Sequence, residues 1–128
     1  MILADTSVLI DFFKNKNNKV SEIIKNNEIC VADIIIMEYL QGIKFDKEYF
    51  IIKNWLLSLP NYKITQKTYL FSAEIYRTCR KHGLTIRKPI DCLIASIAIE
   101  NNLPIYTLDK DFKNISKCFD LNLIDYKI

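Results

Sequence analysis

The chain has 128 residues, 50% of them hydrophobic and 26% charged, with a net charge of +3 and only two glycines. That length predicts one domain, 1–128, with a core large enough to need neither disulfides nor a structural metal. The charge permits a nucleic-acid partner without demanding one, and no apolar run reaches the roughly 18 residues of a membrane span.

In chain order, Ile2-Leu3-Ala4 reads as a short buried strand, and Thr6 or Ser7 as the cap of a helix over 8–13. KNKNNK is a polar turn, and Val20, Ile23 and Ile24 mark a second amphipathic helix. Ile29-Cys30-Val31 is the next strand; Asp33 caps a helix over 33–43, and a further helix over 46–59 is stopped by Pro60. Tyr62-Lys63-Ile64 is a weak third strand, followed by a long helix over 65–82 that Gly83 closes. Pro89 opens a helix that runs to Asn101, Ile105-Tyr106-Thr107 is a fourth strand, and a short helix over 109–117 leads to a last strand, Leu123-Ile124. Apolar strands alternating with helices predict a parallel sheet covered on both faces. In such sheets ligands bind outside the carboxyl ends of the strands, where the strand order reverses, and Asp5 stands at such an end.

The cysteines, Cys30, Cys79, Cys92 and Cys118, form no CxxC pair and stand apart from the one histidine, His82, so the spacing of a zinc site is absent. Cys30 and Cys92 read as small core residues of a reducing compartment. Asp5 comes too early to follow a secretory leader, so a cytoplasmic protein is expected.

Most of the fifteen acidic residues sit among polar neighbours, but several do not. Glu38 lies in the apolar run DIIIMEYLQGI, where a buried carboxylate without a partner costs several kcal/mol or takes up a proton; the alternative is a narrow exposed stripe. Asp91 lies in PIDCLIASIAI, where an acid in the first turn also complements the helix dipole. Asp109 and Asp111 follow the fourth strand, where capping explains each taken singly. Together with Asp5, these acids belong to segments that a parallel sheet brings to one rim. Lys110 is the only basic residue in the same short segments, so mutual repulsion calls for a hard divalent cation, Mg²⁺ or Mn²⁺. With no nucleophile elbow, no Walker A loop and no GxGxxG, metal-assisted hydrolysis of a phosphodiester is the chemistry left. Arg87 and Lys88, just ahead of Asp91, are candidates to hold a substrate phosphate.

Four segments resemble the PIN-domain ribonucleases, and among them the small VapC-type toxins of type II toxin–antitoxin pairs. They are the opening strand with DTSVLIDFF, IIIMEYLQGI, PIDCLIASIA and TLDKDF, in the family's order across the whole chain. The resemblance implies a three-layer α/β/α PIN-like fold with a five-stranded parallel sheet in the order 3-2-1-4-5. It implies an Mg²⁺- or Mn²⁺-dependent endoribonuclease acting on RNA such as tRNA or ribosomal RNA, a homodimer, and a cognate antitoxin that blocks the cleft. By position, Asp5, Glu38 and Asp91 match the core acids and Asp109 the fourth, with Asp111 in reserve. The implied metal ligands are Asp5, Asp91 and Asp109, with Glu38 acting directly or through water. Thr6, Ser7 and Thr107 match polar supports of that shell. A receiver-like phospho-acceptor would want an acidic pair after the first strand and a lysine after the last, and a dehalogenase-type phosphatase would want Asp-x-Asp where Asp5-Thr6-Ser7 stands. A non-catalytic RNA-binding module of the same architecture would tolerate loss of Glu38 and Asp91.

Overall fold

The computed structural model of the chain describes residues 1–124; the last four positions of the expected 1–128 unit lie outside the described residues. Strand β1 is Ile2–Ala4, followed by α1, Thr6–Ile10, and a π-helical turn, Asp11–Asn15. Helix α2 is Asn18–Asn26, β2 is Ile29–Cys30, α3 is Asp33–Leu40, α4 is Asp46–Ser58 and α5 is Gln66–Lys81. Helix α6 is Pro89–Glu100, β3 is Ile105–Tyr106, α7 is Asp111–Ser116 and β4 is Leu123–Ile124.

The strands form one parallel sheet in the order β2-β1-β3-β4. The register sets Leu3 against Cys30 on one side and against Ile105 on the other, all wholly buried. A strand so placed is covered on both faces, which is why β1 carries no polar residue. The sheet departs from the expected five strands at the third. The segment 62–64 does not form a strand; a single parallel bridge joins Val31 to Asn61. Only the Tyr62 N–H, donating to the Val31 carbonyl at 2.9 Å, and the Pro60 carbonyl, accepting from Val31 at 2.9 Å, complete it. Pro60 brings no N–H, and few residues separate α4 from the cap of α5, so the outermost strand of the 3-2-1-4-5 order shrinks to this bridge at the edge beside β2.

Helix ends follow local chemistry. Thr65 and Thr68 make a reciprocal cap at the head of α5. At its tail Gly83 has φ +74°, with its N–H on the Arg80 carbonyl and the Leu84 N–H on the Cys79 carbonyl, the two bonds of a Schellman ending. Two expected caps differ. Asp5, not Thr6 or Ser7, is the capping residue of α1, and no side chain bonds there. Ala32 caps α3; Asp33 instead accepts from Asn61 Nδ2, tying α3 to the edge bridge. The helix expected over 8–13 is broken by the π-helical turn, which ends on Lys16 in the left-handed region and turns Phe12 and Phe13 onto Trp55.

Helix α6 is the internal strut. Every residue from Asp91 to Ala98 is buried, and α5 packs along it. Cys30, Cys79 and Cys92 are buried free thiols and Cys118 is half-buried; burial pushes the Cys30 thiol up to about 11 and that of Cys92 up to about 12, which leaves both inert. Among the described residues no helix is long and apolar enough to cross a membrane.

Candidate metal centre at the carboxyl ends of β1 and β3

From β1 the chain runs outward through β2 to the edge, then returns to β3 on the other side of β1. The strand order therefore reverses between β1 and β3, and their carboxyl ends open a crevice. Asp5 follows β1 directly, and its N–H donates to the Tyr106 carbonyl at 3.0 Å, extending the β1–β3 ladder by one step. That step sets Thr107 beside the Asp5 carboxylate.

Asp5 is buried, and its Oδ2 accepts from Ser7 Oγ at 2.9 Å and from Thr107 Oγ1 at 2.8 Å. The same hydroxyls receive backbone donors: Leu108 N–H reaches Ser7 Oγ and Asp109 N–H reaches Thr107 Oγ1, both at 2.9 Å. One network thus locks the head of α1 to the turn that carries Asp109. Burial raises the Asp5 pKa, the Thr107 and Ser7 hydroxyls oppose this, and Glu38 adds to it by like charge. Thr6 serves a different acid. Its hydroxyl donates to Glu38 Oε1, holding this half-buried residue of α3 from across the crevice.

Asp91 is the third residue of α6, after Pro89 at the first turn. It is 1% exposed, and its Oδ2 has no hydrogen-bond partner among the described residues. Burial pushes its pKa up to about 7; Lys88 pulls the other way, while Asp109, Asp5 and Asp111 add repulsion. Asp109 Oδ1 accepts the Asp111 N–H at 3.0 Å and opens α7, whose first residue is Asp111, also buried. Burial acts to raise the Asp109 pKa, but the Asp111 amide, Lys88 and Arg87 outweigh it and hold it below the ordinary value.

Asp91, Asp109 and Asp111 each offer one carboxylate oxygen within 4.8 Å of the others. Asp111, held in reserve on sequence grounds, joins the set on the same footing as Asp109. Asp5 and Glu38 stand outside that set, with Asp5 near enough to raise Asp91. The expectation that the acids lack nearby positive charge does not hold. Lys88 Nζ lies 3.0 Å from Asp109 Oδ2, and Arg87 Nε lies 3.2 Å from both oxygens of Asp111. Beside these pairs a cleft of about 550 Å³ is lined by Ser7, Arg87, Lys88, Leu108, Asp109 and Lys110.

These residues fit a hard divalent cation. Carboxylate oxygens are the donors Mg²⁺ and Mn²⁺ take, and an unpartnered, buried Asp91 oxygen is what a coordination bond would satisfy. Fold and site together define a class: a parallel α/β protein whose switch-point crevice is lined with carboxylates.

The chain belongs to the PIN domain family, whose model matches residues 2–117. Ribonuclease VapC1 of Methanocaldococcus jannaschii is 30% identical over 124 residues, spanning 97% of this chain and 87% of that protein. VapC ribonuclease Mb1587 of Mycobacterium bovis is 28% identical over 134 residues, spanning 99% of this chain and 100% of that one. Among solved structures, DNA-bound VapBC from Salmonella typhimurium superposes with a TM-score of 0.81 at 19% identity, covering 98% of this chain and 99% of that chain. VapBC-1 from Haemophilus influenzae gives 0.77 at 22%, with full coverage of both. At these identities the structural likeness establishes the fold.

Proposed function

We propose that the chain is a metal-dependent endoribonuclease and the toxin of a toxin–antitoxin pair. The observation that carries this is the convergence of Asp91, Asp109 and Asp111 in the switch-point crevice of a PIN fold, with Asp91 Oδ2 buried and without a hydrogen-bond partner among the described residues. Relatives along nearly the whole chain are called ribonucleases, and structural neighbours include a toxin–antitoxin complex from Klebsiella pneumoniae. The family match displaces the receiver-like reading.

Asp91, Asp109 and Asp111 would hold Mg²⁺ or Mn²⁺, with Asp5 at its flank and Glu38 acting through water. The chemistry such an ion supplies is Lewis acidity: a more acidic water and neutralised phosphoryl charge. Ser7 and Thr107 both donate to Oδ2 and so hold the Asp5 carboxylate in one orientation, leaving Oδ1 as the oxygen that would face an ion. Thr6 does the same for Glu38. Glu38, half-buried beside the like-charged and buried Asp5, is the acid placed to orient a water and take its proton. Arg87, Lys88 and Lys110 give the cleft the positive wall that an RNA backbone needs. The substrate is RNA of the tRNA or ribosomal class; the working unit is a cytoplasmic homodimer built from the 1–128 unit and neutralised by a cognate antitoxin.

The test is cleavage of total RNA, with end mapping, by purified protein freed of partners. Discrete cuts are expected with Mg²⁺ or Mn²⁺, and none with EDTA or in Asp91→Asn and Asp5→Asn. Folded, metal-loaded protein that leaves total RNA intact would overturn the reading.

A further inference from the structure

The sequence offers Arg87 and Lys88 as phosphate ligands, but in the structure both are engaged by carboxylates. Lys88 Nζ sits 3.0 Å from Asp109 Oδ2, Arg87 Nε 3.2 Å from both Asp111 oxygens, and Arg87 Nη2 3.8 Å from Asp109 Oδ1. Asp109 and Asp111 are two of the three acids that converge within 4.8 Å, and the third, Asp91, has a buried oxygen with no hydrogen-bond partner among the described residues. The two side chains and a divalent cation therefore contend for the same carboxylate oxygens.

Resting on the proposed function, we infer that Arg87 and Lys88 are built-in counter-ions that a divalent cation displaces from Asp109 and Asp111, freeing them to grip the phosphates of the RNA strand. Their backbone is fixed: Ile86 is buried, and Lys88 precedes Pro89, which restricts it to the extended conformation it shows, φ −119° and ψ 109°. Their ends are not fixed, since the side chains of Arg87 and Lys88 are 71% and 54% exposed. Ion pairs that open to water are weak and exchange readily, whereas a doubly charged ion beside a guanidinium repels it. The adjoining cleft, which both residues line, is where the displaced side chains turn. Metal and RNA then bind cooperatively, each raising affinity for the other by the same factor.

Mg²⁺ titration of isotope-labelled protein, followed by NMR, tests this. The Arg87 Nε–Hε resonance is expected to leave its hydrogen-bonded position with the same midpoint as the backbone amides of Asp91 and Asp111. Arg87→Gln and Lys88→Gln are each expected to tighten Mg²⁺ binding by roughly two- to fivefold, the size of an exposed ion pair. A phosphorothioate uridine oligonucleotide should bind the wild-type chain more tightly with Mg²⁺ present, and the double variant should lose that gain. Arg87→Lys should keep part of it. Lys110→Gln, the same charge change in the same cleft, serves as the control. A merely structural role for Arg87 would loosen Mg²⁺ binding, not tighten it. Amides that respond to Mg²⁺ while Arg87 Nε–Hε stays in place, or tightening by Lys110→Gln equal to that by Arg87→Gln, would overturn the displacement. Amides that do not respond to Mg²⁺ at all would overturn the metal-site reading beneath it.

Discussion

Asp91→Asn is expected to stabilise the protein in EDTA while abolishing its binding of Mg²⁺. The Asp91 carboxyl is buried with one oxygen unpartnered, and its pKa stands at about 7 against 3.8 for a free side chain. Because the folded value is the higher, the folded state binds the extra proton, and stability is fully present below about pH 4 and lost as pH rises through 7. The difference of about three units, at about 1.4 kcal/mol each, makes ionised Asp91 cost up to about 4 kcal/mol above neutral pH. At about pH 5 the same arithmetic gives roughly 1–2 kcal/mol. Asn keeps the shape, carries no charge and can donate to the acids around it. Calorimetric unfolding in EDTA should therefore show Asp91→Asn melting higher than the wild type by on the order of 10 °C at about pH 8, and by less at about pH 5. Millimolar Mg²⁺ should raise the wild-type Tm alone and narrow the gap. A Tm difference that does not change with pH, or an Asn variant less stable in EDTA at the higher pH, would refute the reasoning.

Other expectations follow from single contacts. Thr107→Val removes the hydroxyl that bonds Asp5 and receives the Asp109 N–H, and should cost about 1–3 kcal/mol in urea unfolding, with Thr107→Ser close to wild type. A loss in Thr107→Ser as large as that in Thr107→Val, or a Thr107→Val variant as stable as the wild type, would refute the role given to the hydroxyl. Gly83→Ala places a side chain at φ +74° with nothing within 4 Å of the new Cβ, so a backbone cost of about 1–2 kcal/mol is expected, with Mg²⁺ affinity unchanged. Phe112→Ala empties a wholly buried site one residue after Asp111 and should cost about 3–5 kcal/mol. It should also weaken Mg²⁺ binding in the surviving folded fraction by unsettling α7; unchanged affinity measured by calorimetry would separate the core from the site.

Much of this protein is legible in its sequence because the signals are local. Alternating short apolar strands and helices define a parallel sheet, Pro89 and Gly83 mark helix ends, and acids placed directly after strands point to one rim. What tertiary structure alone decided involves residues distant in sequence. Arg87 lies 24 residues from Asp111, and only the docking of α6 against α7 makes them partners; the sequence offers Arg87 and Lys88 as phosphate ligands and does not show that they pair with Asp109 and Asp111. Thr6 and Glu38 are 32 residues apart, and their bond depends on how α1 and α3 pack. Asp111 joins the acid set because the Asp109 carboxylate accepts its N–H and turns the chain into α7, a geometry that the Asp-Lys-Asp spacing does not announce. The third strand differs because Tyr62-Lys63-Ile64 has strand character, whereas Pro60 brings no N–H to the edge and the short segment between α4 and α5 pairs with β2 only at the Val31–Asn61 bridge. Sequence by itself determined the class of fold and gathered the acids of the candidate site; the positions of charges relative to one another, which set their pKa values, come only from three-dimensional distance, because electrostatic energy depends on separation in space and not along the chain.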